Sequence, residues 1–304
     1  MCKIAVITTA FGFGLENRET ELAPVFRKHN LEAVYCTVDK LIQEQGMGCQ
    51  GIIAGTEAVD KKLLNSCLNL KGVMKYGVGL DNFDLEEAKR LGIVIGNMPG
   101  INSDAVAEIT LALMLAVSRK IVEHSYLYRQ GEKRQICSHS LYGKTLGLIG
   151  VGTIGRMVAK LCGAFNMTCI GYDIVQNAEA AQEGIQYASW EELFSKSDVI
   201  SIHIPLTKEN YHLIGEKEIA LMKKDAILLN TSRGGIVDEK ALVKAIRNKA
   251  LGGAGLDVFE SKEVDPELAA QPEVVCTPHV AAYTHETLRR MDREVIRKIA
   301  GITA

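Results

Sequence analysis

The chain has 304 residues, which at roughly 150 residues per domain suggests about two domains. Hydrophobic residues make up 47% and charged residues 24%, near the soluble globular average, so long disordered or fibrous segments are excluded. Lysine and arginine total 35 against 37 acids, a net charge of −2, which leaves no electrostatic footprint for nucleic acid or an anionic membrane surface.

The opening MCKIAVITTAFG lacks a basic region followed by a long apolar core and a cleavage site. It reads as a buried strand, not a signal peptide, and a cytoplasmic location is expected. From there short apolar runs alternate with amphipathic segments, the pattern of parallel sheets covered by helices. Strands are predicted over 3–8, 31–36, 51–54, 72–75 and 92–95, with helices such as 17–29 and 84–91 between them. These make one doubly wound unit. A helical stretch over 104 to about 131 follows, with Asn102, Ser103 and Asp104 offering its cap. Its run ITLALMLAV (109–117) is apolar on nearly every face, so it should be buried all round, inside one domain or against a second subunit. It is the longest apolar run, and far short of the roughly 20 residues of a membrane span.

A second series of strands is predicted over 145–149, 168–172, 199–202, 226–229, 253–256 and 273–276, then one charged amphipathic helix over 284–300. That tail is too short to be a domain and should return to pack on one of the two units. The fold class is therefore α/β, with two doubly wound parallel-sheet domains. The eight cysteines form no CxxC or CxxH pair; they read as structural thiols, and no metal site is expected.

The strongest local signal is GVGTIG, in which Gly150, Gly152 and Gly155 follow an apolar strand and open a helix through Thr153 and Ile154. Gly150 allows the tight turn, Gly152 lets backbone approach a pyrophosphate, and Gly155 lets helix and strand pack closely. The helix N-terminus favours the anion. Asp173, at the end of the next strand, would accept from both ribose hydroxyls and repel a 2′-phosphate, which favours NAD over NADP. Later strands each deliver polar or turn residues at their carboxyl ends: His203, Ile204 and Pro205; Thr231, Ser232 and Arg233; Asp257; and His279 with Ala281. Ligands in open α/β sheets bind beyond those ends, so these residues are the expected cofactor contacts.

With these blocks in view, KYGVGLDN (75–82), GVGTIG with Asp173, NTSRGGIVDEKAL (230–242), GLDVFE (255–260) and TPHVAA (277–282), the chain resembles the D-isomer-specific 2-hydroxyacid dehydrogenases, the family that includes phosphoglycerate dehydrogenase. The resemblance implies an NAD-binding Rossmann domain at about 101–281. It also implies a flavodoxin-like substrate domain made of 1–100 plus 282–304, and a homodimer built on the helix that holds 109–117. It implies an NAD-dependent oxidoreductase interconverting a 2-oxo acid and a D-2-hydroxy acid by hydride transfer. Alternatives are D-3-phosphoglycerate dehydrogenase of serine synthesis, a hydroxypyruvate or glyoxylate reductase, and, outside enzymes, an NAD(H)-sensing corepressor.

The family's catalytic arginine, glutamate and histidine fall here on Arg233, Glu263 and His279. The Arg233 guanidinium fork suits a 2-oxo carboxylate, and the His279 imidazole can give a proton to the carbonyl oxygen or take one back. The acid departs from the family pattern. Members carry it five residues after the aspartate of D-V-F-E-x-E-P, where this chain has Lys262, with Glu263 one later and Glu260 as the rival. By resemblance the Val78–Gly79 amides bind the substrate carboxylate, and Lys75 matches a basic position that faces a substrate phosphate in phosphoglycerate dehydrogenases.

Overall fold

GIIA at Gly51–Ala54 and GVMK at Gly72–Lys75 are buried at every position, as strands covered on both faces must be. They lie within the first of two parallel sheets. The computed structural model describes residues 1–261 and 263–304, and the chain divides into two units, Met1–Asn102 with Ala282–Ala304, and Ser103–Ala281.

In the first unit the chain runs β1 (Cys2–Val6), α1 (Arg18–Lys28), β2 (Leu31–Tyr35), α2 (Val38–Gln43), β3 (Gly51–Ala54), α3 (Lys61–Ser66), β4 (Gly72–Lys75), α4 (Leu85–Arg90) and β5 (Val94–Gly96). The parallel sheet has the order β2-β1-β3-β4-β5, a flavodoxin-like doubly wound arrangement. Asn17, Thr37, Asp60 and Asp84 each cap a helix by accepting from a first-turn N–H, which is why those helices start where they do. One core holds Ile4, Val6, Phe11, Phe26 and Met74 together with Val295, Ile296 and Ile299. The last three come from the C-terminal helix, which belongs to this unit.

The second unit runs α5 (Ser103–Ser118), α6 (Ile121–Arg129), β6 (Thr145–Ile149), α7 (Thr153–Gly163), β7 (Thr168–Tyr172), α8 (Ala178–Gln182), β8 (Gln186–Tyr187), α9 (Trp190–Lys196), β9 (Val199–Ile202), α10 (Glu216–Leu221), β10 (Ile227–Asn230), α11 (Glu239–Arg247), β11 (Gly253–Leu256), α12 (Pro266–Ala269) and β12 (Val274–Cys276). The chain then returns to the first unit as α13 (His285–Thr303). The sheet order is β12-β11-β10-β9-β6-β7-β8, parallel throughout. The order reverses beside β6, so β6 and β9 form the topological switch point where ligands bind in such sheets.

One expectation needs correction. The single helix over 104–131 is two helices, because Lys120 takes a left-handed conformation (φ 51°) that ends one and starts the next. Within this chain the 109–117 run is covered on one side only. Leu113, Met114 and Val117 are in the core, but Leu111 and Leu115 are half-buried and Ala112 is exposed. All eight cysteines are free thiols, and burial pushes Cys162 up to about 12 and Cys49 up to about 11.

Candidate active site

The carboxyl end of β6 runs into the glycine loop. Gly150 has φ 93°, and a Cβ there would lie 2.6 Å from the His203 carbonyl oxygen. At Gly155 a Cβ would collide with the Gly150 carbonyl oxygen, whereas one at Gly152 would meet nothing within 4 Å. Two glycines are thus demanded by the protein's own packing, and the third leaves open space over backbone. Gly152 caps α7 without a side-chain acceptor, so the first-turn N–H groups face that space unpaired by a cap. A dinucleotide pyrophosphate fits these features: room for its oxygens, unsatisfied donors, and the positive end of a helix.

Asp173 follows β7. Its Oδ2 accepts from Val151 N (2.7 Å) and its Oδ1 from Val175 N (3.2 Å), which fixes the carboxylate against the glycine loop. The next residues, Ile174 and Val175, are exposed. His203 follows β9. Its backbone N–H donates to Ile149 O (2.7 Å) and its Nε2 lies 2.9 Å from Ser201 Oγ. Burial drives its pKa down to about 4, so the ring is neutral at physiological pH. Pro205 is exposed beyond it and Ile204 is half-buried.

The turn after β10 is built around Asn230, which is 1% exposed. Its Oδ1 accepts from the Ser232 N–H and hydroxyl, and its Nδ2 donates to the Arg233 carbonyl (2.8 Å). Thr231 is fixed by a 2.8 Å hydroxyl contact to Thr110 of α5. Arg233 is half-buried and one guanidinium nitrogen donates to Ser232 O at 2.7 Å. At Gly234 any Cβ would overlap the Phe259 carbonyl. That glycine therefore brings the Arg233 turn against the segment that follows β11.

Asp257 opens that segment and is completely buried. Its carboxylate accepts from Thr277 Oγ1 (2.6 Å), Val280 N (2.9 Å) and Ala281 N (3.0 Å). His279 stands within the loop so anchored, with φ 54° and an exposed side chain. A left-handed histidine costs of order 1 kcal/mol and persists only where neighbours over-determine it. Asp257 does this from both sides of the turn. It thus acts on the histidine loop, a role the sequence reading, which set Asp257 with the cofactor contacts, did not include.

The two candidate acids part company here. Glu260 is committed: its Oε1 accepts from Glu239 N (3.1 Å) and lies 3.0 Å from His212 Nε2, and its Oε2 lies 3.3 Å from the Tyr211 hydroxyl. Glu263 is exposed, and its carboxylate has no partner among the described residues. The expected pairing of Glu263 with His279 is not formed, and Ser261 Oγ donates to the Glu263 carbonyl. Lys262 lies outside the described residues.

In the first unit, Lys75 is buried at the end of β4, and its ammonium donates to Gly55 O (2.5 Å) and Asn82 Oδ1 (2.8 Å). A lysine so held ties two loops together. Beyond it the Gly77 and Val78 carbonyls accept from Met98 N and Asn97 Nδ2. The Val78 and Gly79 N–H groups donate to no described residue. Sequence reasoning passed over Asn230 and the gathering of Tyr211, His212 and Glu239 around Glu260. A polar residue closing the fully buried strand ILLN was the available signal for Asn230; the cluster had none.

Comparison with known proteins adds to this geometry. The model of the D-isomer specific 2-hydroxyacid dehydrogenase NAD binding domain matches residues 111–281. A glyoxylate reductase of Thermococcus litoralis is 44% identical over 255 residues, spanning 80% of this chain and 77% of that protein. A hydroxypyruvate reductase of Thermotoga maritima is 39% identical over 254 residues, 82% of each chain. Among solved structures, a D-lactate dehydrogenase of Aquifex aeolicus complexed with NAD and lactic acid superposes with a TM-score of 0.83 at 29% identity, covering 98% of this chain and 94% of that one.

Proposed function

The chain belongs to the D-isomer specific 2-hydroxyacid dehydrogenase family and is an NAD-dependent oxidoreductase interconverting a 2-oxo acid and a D-2-hydroxy acid, and on that premise we propose that it reduces a small 2-oxo acid, glyoxylate or hydroxypyruvate, with NADH. The unpaired Val78 and Gly79 amides carry this reading. Two adjacent N–H donors with no protein acceptor suit one carboxylate, and glyoxylate and hydroxypyruvate are the substrates named for the similar reductases.

A dinucleotide held by the Gly150–Gly155 loop and Asp173 would be the hydride donor in reduction and the hydride acceptor in oxidation. Arg233, offering its planar fork, orients the 2-oxo carboxylate and polarises the ketone. His279 gives the carbonyl oxygen its proton in reduction and takes the hydroxyl proton in oxidation. Glu263 is the acid proposed to partner His279, since Glu260 is held elsewhere; catalytic contacts that are loose in a free enzyme commonly tighten in the complex. Asp173 and the Gly150–Gly155 loop bind the dinucleotide, and residues 1–100 with 282–304 form the substrate-binding part. A phosphorylated substrate is the weaker reading, because Lys75 is buried and donates to two protein oxygens.

The enzyme is proposed to work as a homodimer. Ile121, Val122, Tyr126 and Tyr128 of α6 are all more than half exposed, beside the incompletely covered face of α5, and apolar surface so grouped marks an interface. No helix among the described residues is long and apolar enough to cross a membrane; a cytoplasmic location fits the free thiols. The test is NADH oxidation with glyoxylate, hydroxypyruvate, pyruvate and 3-phosphohydroxypyruvate in parallel. The first two should show the highest kcat/KM; a preference for the phosphorylated acid would overturn the substrate assignment.

A further inference from the structure

Helix α13 packs its apolar face, Leu288, Met291, Val295, Ile296 and Ile299, into the core of the first unit. On the outer side lies a groove of about 1040 Å³ between α13 and the end of α1, floored in part by Pro24, Val25 and Ile101. Its lining includes five permanent cations, Lys28, Arg289, Arg290, Arg293 and Arg297, against two carboxylates, Glu286 and Glu294. The surplus is positive in a chain whose net charge is −2.

Internal pairing does not absorb it. Glu294 is taken by Arg297 in a two-pronged pair (2.8 and 2.6 Å), and Arg290 donates to the Ile101 carbonyl and the Thr287 hydroxyl. The side chains of Arg289, Arg293 and Lys28 have no partner among the described residues. Arg289 and Arg293 are one helical turn apart on one face, an arrangement in which the like charges repel. An anion held by both would relieve that repulsion, and guanidinium forks suit the oxygens of phosphate groups.

We propose that this groove binds a small polyanion with at least two linked phosphate groups, gripped by Arg289, Arg293 and Lys28, with any organic part lying on Pro24, Val25 and Ile101. The groove lies wholly within the first unit and shares no residue with the glycine loop or the Arg233 turn.

The experiment is calorimetric titration of the NADH-saturated enzyme with inorganic pyrophosphate at low salt, so that the dinucleotide's own pyrophosphate site is filled. The parent should bind about one equivalent, more weakly as salt is raised. The double variant Arg289→Gln/Arg293→Gln, both positions being exposed, should bind about tenfold or more weakly, with glyoxylate and hydroxypyruvate turnover in the absence of pyrophosphate unchanged. No binding by the parent up to several millimolar, about the weakest affinity a useful site would have, would overturn the proposal. Equal binding by parent and variant would overturn it too, by placing the anion elsewhere.

Discussion

Glu239 and Glu260 clasp each other: Glu239 Oε1 accepts from the Glu260 N–H at 2.7 Å, and Glu260 Oε1 accepts from the Glu239 N–H at 3.1 Å. The clasp joins the first turn of α11 to the segment after β11, which also carries Glu263. Burial raises the Glu239 pKa, and the nearby Glu260 carboxylate adds to the rise against the hydrogen bond from its N–H.

Glu260→Gln keeps an oxygen for the Glu239 N–H but removes the charge beside His212. It should lower stability by about 1–2 kcal/mol and leave the alkaline limb of the reduction pH profile in place. On the proposed partnership of Glu263 with His279 in the complex, Glu263→Gln should leave stability unchanged and move that limb to lower pH, because the carboxylate that would favour the imidazolium is gone. Paired pH–rate profiles with urea melts decide it; a limb that moves only in the Glu260 variant contradicts the acid assignment.

Asp257→Asn sets an amide NH2 against a backbone N–H in either orientation, since both carboxylate oxygens accept from the His279 loop. The loss should be about 2–4 kcal/mol in stability. A fall in kcat should accompany it, with NADH affinity changed much less. Near-parent kcat in a folded variant would show that the carboxylate does not position the histidine.

Much of the fold is legible in the sequence because parallel strands buried on both faces are continuous apolar runs. The predicted 51–54, 72–75, 145–149, 168–172, 199–202 and 253–256 coincide with β3, β4, β6, β7, β9 and β11. The edge strand β8 is the two residues Gln186–Tyr187, too short and too polar for such a run. The break at Lys120 has no glycine or proline to announce it. In the site, the glycine loop is readable because Gly150 and Gly155 answer local steric demands and Gly152 keeps the space over the backbone open. The commitment of Glu260 was not: its partners His212 and Glu239 are polar, distant in sequence, and meet it only through the fold.

His203 gives a pH test. Its folded pKa of about 4 lies below the ordinary histidine value near 6.5. The unfolded chain therefore binds more protons between those values, and stability is lost as pH falls through that window. The parent should lose up to about 3 kcal/mol between pH 7 and pH 4 from this group. His203→Gln, which can still meet Ser201, should flatten that part of the curve. Identical slopes in urea melts across the range would contradict the burial of a neutral ring.

Cofactor choice should follow Asp173. Its carboxylate is pinned by Val151 N and Val175 N, and no cation follows it in Ile174, Val175 or Gln176. The kcat/KM for NADH should exceed that for NADPH by about tenfold or more, and Asp173→Ala should narrow the gap chiefly by raising the NADH KM. Equal values in the parent would count against this placement of the ribose.

The most direct test of the reaction itself is the configuration of the product. Hydroxypyruvate reduced by this enzyme with NADH gives glycerate, whose enantiomers separate on a chiral column or with an enantiomer-specific enzyme assay. D-glycerate should form in step with NADH consumed, and Arg233→Lys should be much slower because a point charge replaces the two-pronged grip. L-glycerate, a racemate, or no turnover in an enzyme that binds NADH would contradict the proposed reaction.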